Sequence, residues 1–99
     1  VGLCELSKIS EIEIVVMGIV GFAALKPTIA AIKAKKTIAL ANKESLVVAG
    51  GIVMEEVRRQ GVTCIPVDSE HSALFQLLEK TPAAHVRSIV LTASGGPFF

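Results

Sequence analysis

The distribution of apolar residues restricts the fold of this chain more than any other feature. They gather in four short runs, 12–19, 37–41, 62–67 and 86–93, that are mostly continuous rather than alternating with polar residues. Short runs rich in Val and Ile read as strands. Strands without polar alternation are typical of parallel sheets covered on both faces. Between the runs, apolar residues recur at helical spacing. One such stretch is 23–35, with Leu25, Ile29 and Ile32 aligned and Pro27 in its first turn. Another is 44–60, where Leu46, Ala49 or Gly50, Val53 and Val57 form a stripe opposite Glu55, Glu56, Arg58 and Arg59, and Gly61 can stop the helix. A third runs from Ser69 or Ser72 to Glu79, with Ala73, Leu74, Leu77 and Leu78 inward, and Thr81-Pro82 ends it. The order βαβαβαβ predicts an α/β fold with a parallel sheet. Pro66 cannot donate a ladder hydrogen bond, so it belongs at a sheet edge or past the last bond.

Composition narrows the class further. Of 99 residues, 52% are hydrophobic and 19% charged, which excludes a disordered chain. The longest uncharged apolar run, Ile14 to Leu25, falls short of the roughly 20 residues a membrane helix needs. A net charge of +1, no Trp and no Tyr leave no case for nucleic acid or an anionic membrane as partner. Cys4 and Cys64 lie in no CxxC or Cys/His pattern. Cys64, inside an apolar run, reads as a buried thiol, and a reducing compartment fits. The chain starts at Val1 and stops at Gly95-Gly96-Pro97-Phe98-Phe99, so it reads as an internal piece of a longer protein. The apolar excess agrees.

Polar residues cluster directly after the apolar runs. Asn42-Lys43-Glu44-Ser45, Asp68-Ser69-Glu70-His71 and Thr92-Ala93-Ser94-Gly95-Gly96 follow the second, third and fourth. Asn42 to Asp68 spans 26 residues, and so does Asp68 to Ser94. Parallel strands put such clusters on one edge of the sheet, where open α/β sheets bind ligands.

Each cluster admits two readings. Asp68 and Glu70, two apart, share a side while the backbone is extended and can then face one hard cation, magnesium or manganese. Alternatively, Asp68 or Ser69 caps a helix and Glu70 favours its dipole. Lys43 opposes the dipole of the helix it opens, unless a bound anion compensates. Ser94-Gly95-Gly96 can admit a phosphate or simply turn the chain. His71 is either an acid–base group beside the carboxylates or a structural imidazole. Gly18-Ile19-Val20-Gly21 is not a dinucleotide fingerprint.

Three stretches together resemble the 1-deoxy-D-xylulose 5-phosphate reductoisomerase family. They are Ala39-Leu40-Ala41-Asn42-Lys43-Glu44-Ser45-Leu46-Val47, Pro66-Val67-Asp68-Ser69-Glu70-His71 and Leu91 to Phe98. Pro27-Thr28 with Ala30-Ala31-Ile32 matches the preceding helix. The resemblance spans nearly the whole chain; Ala24 and Ser72 depart from it beside the motifs, where the family favours Gly and Asn.

The resemblance implies a fold of βαβ units from a Rossmann-like NADP-binding sheet running into the start of an α+β catalytic domain. Residues 1–67 would close the NADPH-binding domain and 68–99 would open the catalytic one. The implied activity converts 1-deoxy-D-xylulose 5-phosphate to 2-C-methyl-D-erythritol 4-phosphate with NADPH and Mg2+ or Mn2+, in non-mevalonate isoprenoid biosynthesis. Asp68 and Glu70 would hold the metal, a Lewis acid for the substrate's carbonyl and hydroxyl oxygens. Lys43 and Glu70 would be catalytic, and Lys43 would also steady developing negative charge. Lys43, Ser69, Glu70 and Ser94 would bind the sugar phosphate, and Asn42 and Glu44 would line the NADPH site. The full-length protein would be a homodimer in a bacterial cytoplasm or a plastid-type stroma. The family's upstream glycine-rich fingerprint and its downstream metal-binding glutamate, lid and helical domain are not in these residues, so this stretch alone should be inactive. Two other readings stand beside it: another metal-assisted sugar-phosphate enzyme of similar fold, and a nucleotide-binding module without chemistry.

Overall fold

A computed structural model describes residues 2–93 and 95. Three parallel strands, β1 (Ile14–Met17), β2 (Thr37–Leu40) and β3 (Cys64–Pro66), form one sheet in the order β1-β2-β3. Helix α1 (Gly2–Leu6) precedes the sheet, α2 (Leu25–Lys33) connects β1 to β2, α3 (Glu44–Gln60) connects β2 to β3, and α4 (Ser69–Leu78) follows β3. The α/β organisation is Rossmann-like, with strands in sequence order and helical crossovers between them.

Register decides where the core lies. Val15 pairs with Ile38 and Met17 with Leu40, so these four side chains share the face that α2 and α3 cover. Met17, Ile38 and Leu40 are buried there against Ala31 and Ile32 of α2 and Val53 and Val57 of α3. The stripe expected along 44–60 is therefore the one that packs. Gly61 ends α3 in the left-handed region (φ +64°), donating its N–H to Arg58. Inside α3 the backbone departs from helix at Ala49 (φ −140°, ψ 28°), directly before Gly50-Gly51, a pair that weakens a helix. No helix among the described residues is long and apolar enough to cross a membrane.

The opposite face corrects one expectation. The apolar runs predict strands covered on both sides, but Ile14 and Val16 are 58% and 69% exposed. Their partners Thr37 and Ala39 are half-buried. α2 and α3 pack on the face of Met17, Ile38 and Leu40, and among the described residues the Ile14–Val16 side of β1 is left largely open.

Three further differences concern the ends. Residues 86–93, expected as a fourth strand, form no ladder. The free side of β3 offers little to pair with. Thr63 O and Val67 N bond to β2, so Cys64 and Pro66 point their backbone groups outward, and Pro66 has no N–H there. Pro66 thus sits at an edge as expected, and it blocks the row a fourth strand would use. In α4 nothing is fully buried: Leu74 and Leu78 are half-buried, whereas Ala73 and Leu77 face outward, because α4 packs mainly on β3. Cys64 is likewise only partly buried, and burial pushes its thiol pKa up. Helix α1 was not expected at all. Ser94 lies outside the described residues.

Candidate metal and cofactor site

Because the strands are parallel, the segments leaving β1, β2 and β3 emerge at one edge. They are Gly18–Gly21, Ala41–Glu44 and Val67–Glu70. Two of the three expected polar clusters meet there. Nζ of Lys43 lies 3.9 Å from Oε2 of Glu70. Both side chains are about half exposed, so the pair contributes little stability; its interest is that it joins the two motifs. Lys43 and His71 also border a mostly apolar cavity of about 190 Å3, walled by Leu40, Leu46, Met54, Cys64 and Pro66. Of the third cluster, Ser94 and Gly96 lie outside the described residues.

Asp68 discriminates between its two readings. It occupies the N-cap position of α4 in extended conformation (φ −64°, ψ 153°), and its carbonyl accepts the N–H of Ser72. Its carboxylate, however, makes no cap hydrogen bond. Both carboxylate oxygens are buried and accept no well-directed hydrogen bond. Nδ1 of His71 lies 2.9 Å from Oδ1. A buried carboxylate left without donors is costly unless a charge neutralises it. The expected capping role is thus not the one the side chain plays.

Glu70 sits in the first turn of α4 and accepts the Ser69 hydroxyl at 3.0 Å. Its own backbone N–H, then Ser69, then the Lys43 ammonium hold its carboxyl below the ordinary glutamate range. It is ionised at neutral pH, as a metal ligand must be. Asp68 and Glu70 turn to different neighbours here, Asp68 to His71 and Glu70 to Lys43 and Ser69. Among the described residues, no three His, Cys, Asp or Glu side chains converge as a complete metal cage. The donor set nonetheless fits a hard divalent cation: two carboxylates, one of them buried and unused by the helix it begins, with no thiolate beside them.

Asn42 and Ser45 are buried, whereas Lys43 and Glu44 are exposed. Asn42 accepts the backbone N–H of Ser45 (2.8 Å) and its hydroxyl (2.9 Å), and its amide donates to the carbonyls of Ile19 and Gly21. This network was not foreseen. A signal existed: an Asn directly before a helix, three residues ahead of a Ser, is a cap pattern.

The family model for 1-deoxy-D-xylulose 5-phosphate reductoisomerase matches residues 1–50, and that for the C-terminal domain of the same enzyme matches residues 64–99. The chain belongs to the 1-deoxy-D-xylulose 5-phosphate reductoisomerase family. A relative of that name from Synechococcus sp. is 58% identical over 97 residues, covering 98% of this chain and 25% of its own length. One from Agathobacter rectalis is 56% identical over 97 residues, covering 98% and 26%. The chain thus spans about a quarter of the length of these relatives. Among solved structures, the Zymomonas mobilis reductoisomerase in complex with NADPH superposes with a TM-score of 0.71 at 51% identity, over 76% of this chain and 20% of that one. A reductoisomerase in complex with NADPH, fosmidomycin and magnesium gives 0.75 at 48%, over 84% and 20%.

Proposed function

We propose that this chain forms part of an NADPH- and divalent-metal-dependent reductoisomerase that converts 1-deoxy-D-xylulose 5-phosphate to 2-C-methyl-D-erythritol 4-phosphate. The observation that carries the proposal is Asp68, a helix-capping position whose buried carboxylate makes no cap bond to the helix and faces the His71 imidazole instead. Family membership, and relatives crystallised with NADPH and magnesium, support the same reading.

In this reading Asp68 and Glu70 hold Mg2+ or Mn2+, which when bound supplies Lewis acidity toward substrate oxygens. Lys43, already beside Glu70, presents its ammonium to the sugar's oxygens and offsets negative charge that grows there. Ser69 adds a hydroxyl on the same turn, and Ser94 serves the phosphate end. Asn42 and Glu44 belong to the cofactor side. Residues 1–67 complete the NADPH-binding domain and 68–99 begin the catalytic one, a division in keeping with two family models that match on either side of the interval 51–63. The complete protein is a homodimer working in a bacterial cytoplasm or plastid-type stroma, and the bacterial relatives support the first.

The test uses the complete protein that carries this segment. It should oxidise NADPH only with deoxyxylulose phosphate and Mg2+ or Mn2+ present; turnover without metal would overturn the metal assignment. Asp68→Asn should lower kcat by roughly 100-fold or more, beyond the 10–100-fold cost of losing an outer-shell partner, while unfolding by urea is unchanged. If the variant instead unfolds, Asp68 is a structural residue.

A further inference from the structure

Asn42 is 2% exposed, and its side chain has no bonding capacity left for a ligand. An asparagine amide offers two donors and a carbonyl with two lone pairs. Here the amide nitrogen donates to the carbonyls of Ile19 and Gly21, and the oxygen accepts both the N–H and the hydroxyl of Ser45, itself fully buried. The orientation is chemically forced. Reversing the amide would set its oxygen against two carbonyls and its NH2 against a backbone N–H.

The two halves of this side chain hold two different pieces of the site. The oxygen closes the start of α3 on the third N–H of the helix, the usual reach of an N-cap. That fixes Lys43 and Glu44, the first two residues of the turn; Lys43 has helical angles (φ −73°, ψ −22°), and its carbonyl accepts the N–H groups of Leu46 and Val47. The nitrogen ties down the segment leaving β1, which bends through Gly21 at φ +73°, a left-handed angle that glycine takes without strain. Loop and helix start are 21 to 23 residues apart in sequence, and this one side chain spans them.

We infer that Asn42 is a positioning residue: its side chain bolts the β1–α2 segment to the first turn of α3, and so sets where Glu44 meets the cofactor and Lys43 meets the substrate. The identity of the two ligands rests on the function proposed above; the bolt rests on geometry alone.

Asn42→Asp and Asn42→Ala in the complete protein separate the two halves. Asp keeps the acceptor for Ser45 and loses both donors to the loop, while Ala loses everything. Without ligands, backbone hydrogen exchange at Ser45, Leu46 and Val47 should quicken roughly 5–30-fold in the Ala variant, the size of a lost cap, and stay unchanged in the Asp variant. In turnover, both variants should raise KM for NADPH and for the sugar phosphate together, each by about tenfold, the cost of a lost buried hydrogen bond. If either variant raises KM for NADPH alone, and exchange at 45–47 in the ligand-free Ala variant stays at the wild-type rate, the side chain is a cofactor ligand and the inference is overturned. Should the wild-type protein fail to turn over these substrates, the proposed function falls, and the ligand-free exchange still decides the role of Asn42.

Discussion

The segments 14–57 and 62–93 are both rich in apolar residues, yet they end in different physical states. In the first, β1 and β2 face α2 and α3 and enclose Met17, Ile32, Ile38 and Val53 at 2% exposure or less. In the second, no described residue is fully buried; α4 leans mainly on β3, and 86–93 follows no ladder. The two sides of the candidate site inherit this difference. Asn42 stands on the packed part and is held by its own bonds, whereas Asp68 and Glu70 begin a helix with little beneath it. The Asn42 side is preorganised by protein packing. The carboxylate side has a buried Asp68 carboxylate that the helix does not use and a loosely supported helix, so its order should depend on what it binds.

Three measurements bear on that contrast. The largest effect is expected from paired truncations. Ile38→Ala, at 0% exposure in the central strand, should cost ~2–5 kcal/mol in urea unfolding of the complete protein. Leu77→Ala on α4, 72% exposed here, should stay within about 0.5 kcal/mol. A large loss at Leu77 would show that α4 is packed in the complete protein and would erase the distinction.

The second concerns the cation. Added at about 100 times its Kd, Mg2+ or Mn2+ should slow hydrogen exchange in α4 by up to roughly 100-fold, if its binding requires that helix to be formed. Exchange in α2 should not respond. Equal slowing in both helices would mean that the two parts are one cooperative unit.

The smallest effect lies within the packed part, at the end of α3. Hydrogen bonds from Arg59, then Gln60, hold the Glu56 carboxyl below its usual pKa. A carboxylate with a lowered folded-state pKa stabilises above its unfolded-state value, near 4.5, and that contribution disappears as pH falls through the folded value. The thermal midpoint of wild type should therefore exceed that of Glu56→Gln slightly at pH 6, and the difference should shrink as the pH is lowered below the unfolded-state value. A difference that does not change with pH would assign the effect to packing instead of charge.

How much could be read from residues follows the same divide. Helix 44–60 was legible at both ends because its stripe, its charged back and its stopping glycine agree, and its partners lie within the chain. The strand expected at 86–93 carries the right β-branched residues, but a strand is defined by its neighbour, and propensity cannot supply one. Leu77 fails for the same reason: spacing says which residues share a face, not whether anything covers it. In the site, the meeting of Lys43 with Glu70 was anticipated by topology, since parallel strands deliver both to one edge. Asp68 needed coordinates, because capping and cation binding favour the same residue at the same place, and only the direction of the carboxylate separates them. The reach of Asn42 to Ile19 and Gly21 is a contact across the fold that no local pattern encodes.

The proline on the outer side of β3 has a consequence for how this sheet can be enlarged. One margin is closed to further pairing where Pro66 has no N–H to give, while the β1 margin has no partner strand among the described residues and is flanked by exposed Ile14 and Val16. Growth is therefore directional: another strand can be added beside β1 far more readily than beside β3. Produced by itself, the segment should be prone to self-association through that margin, and polar replacement of Val16 is the simplest way to keep it dispersed.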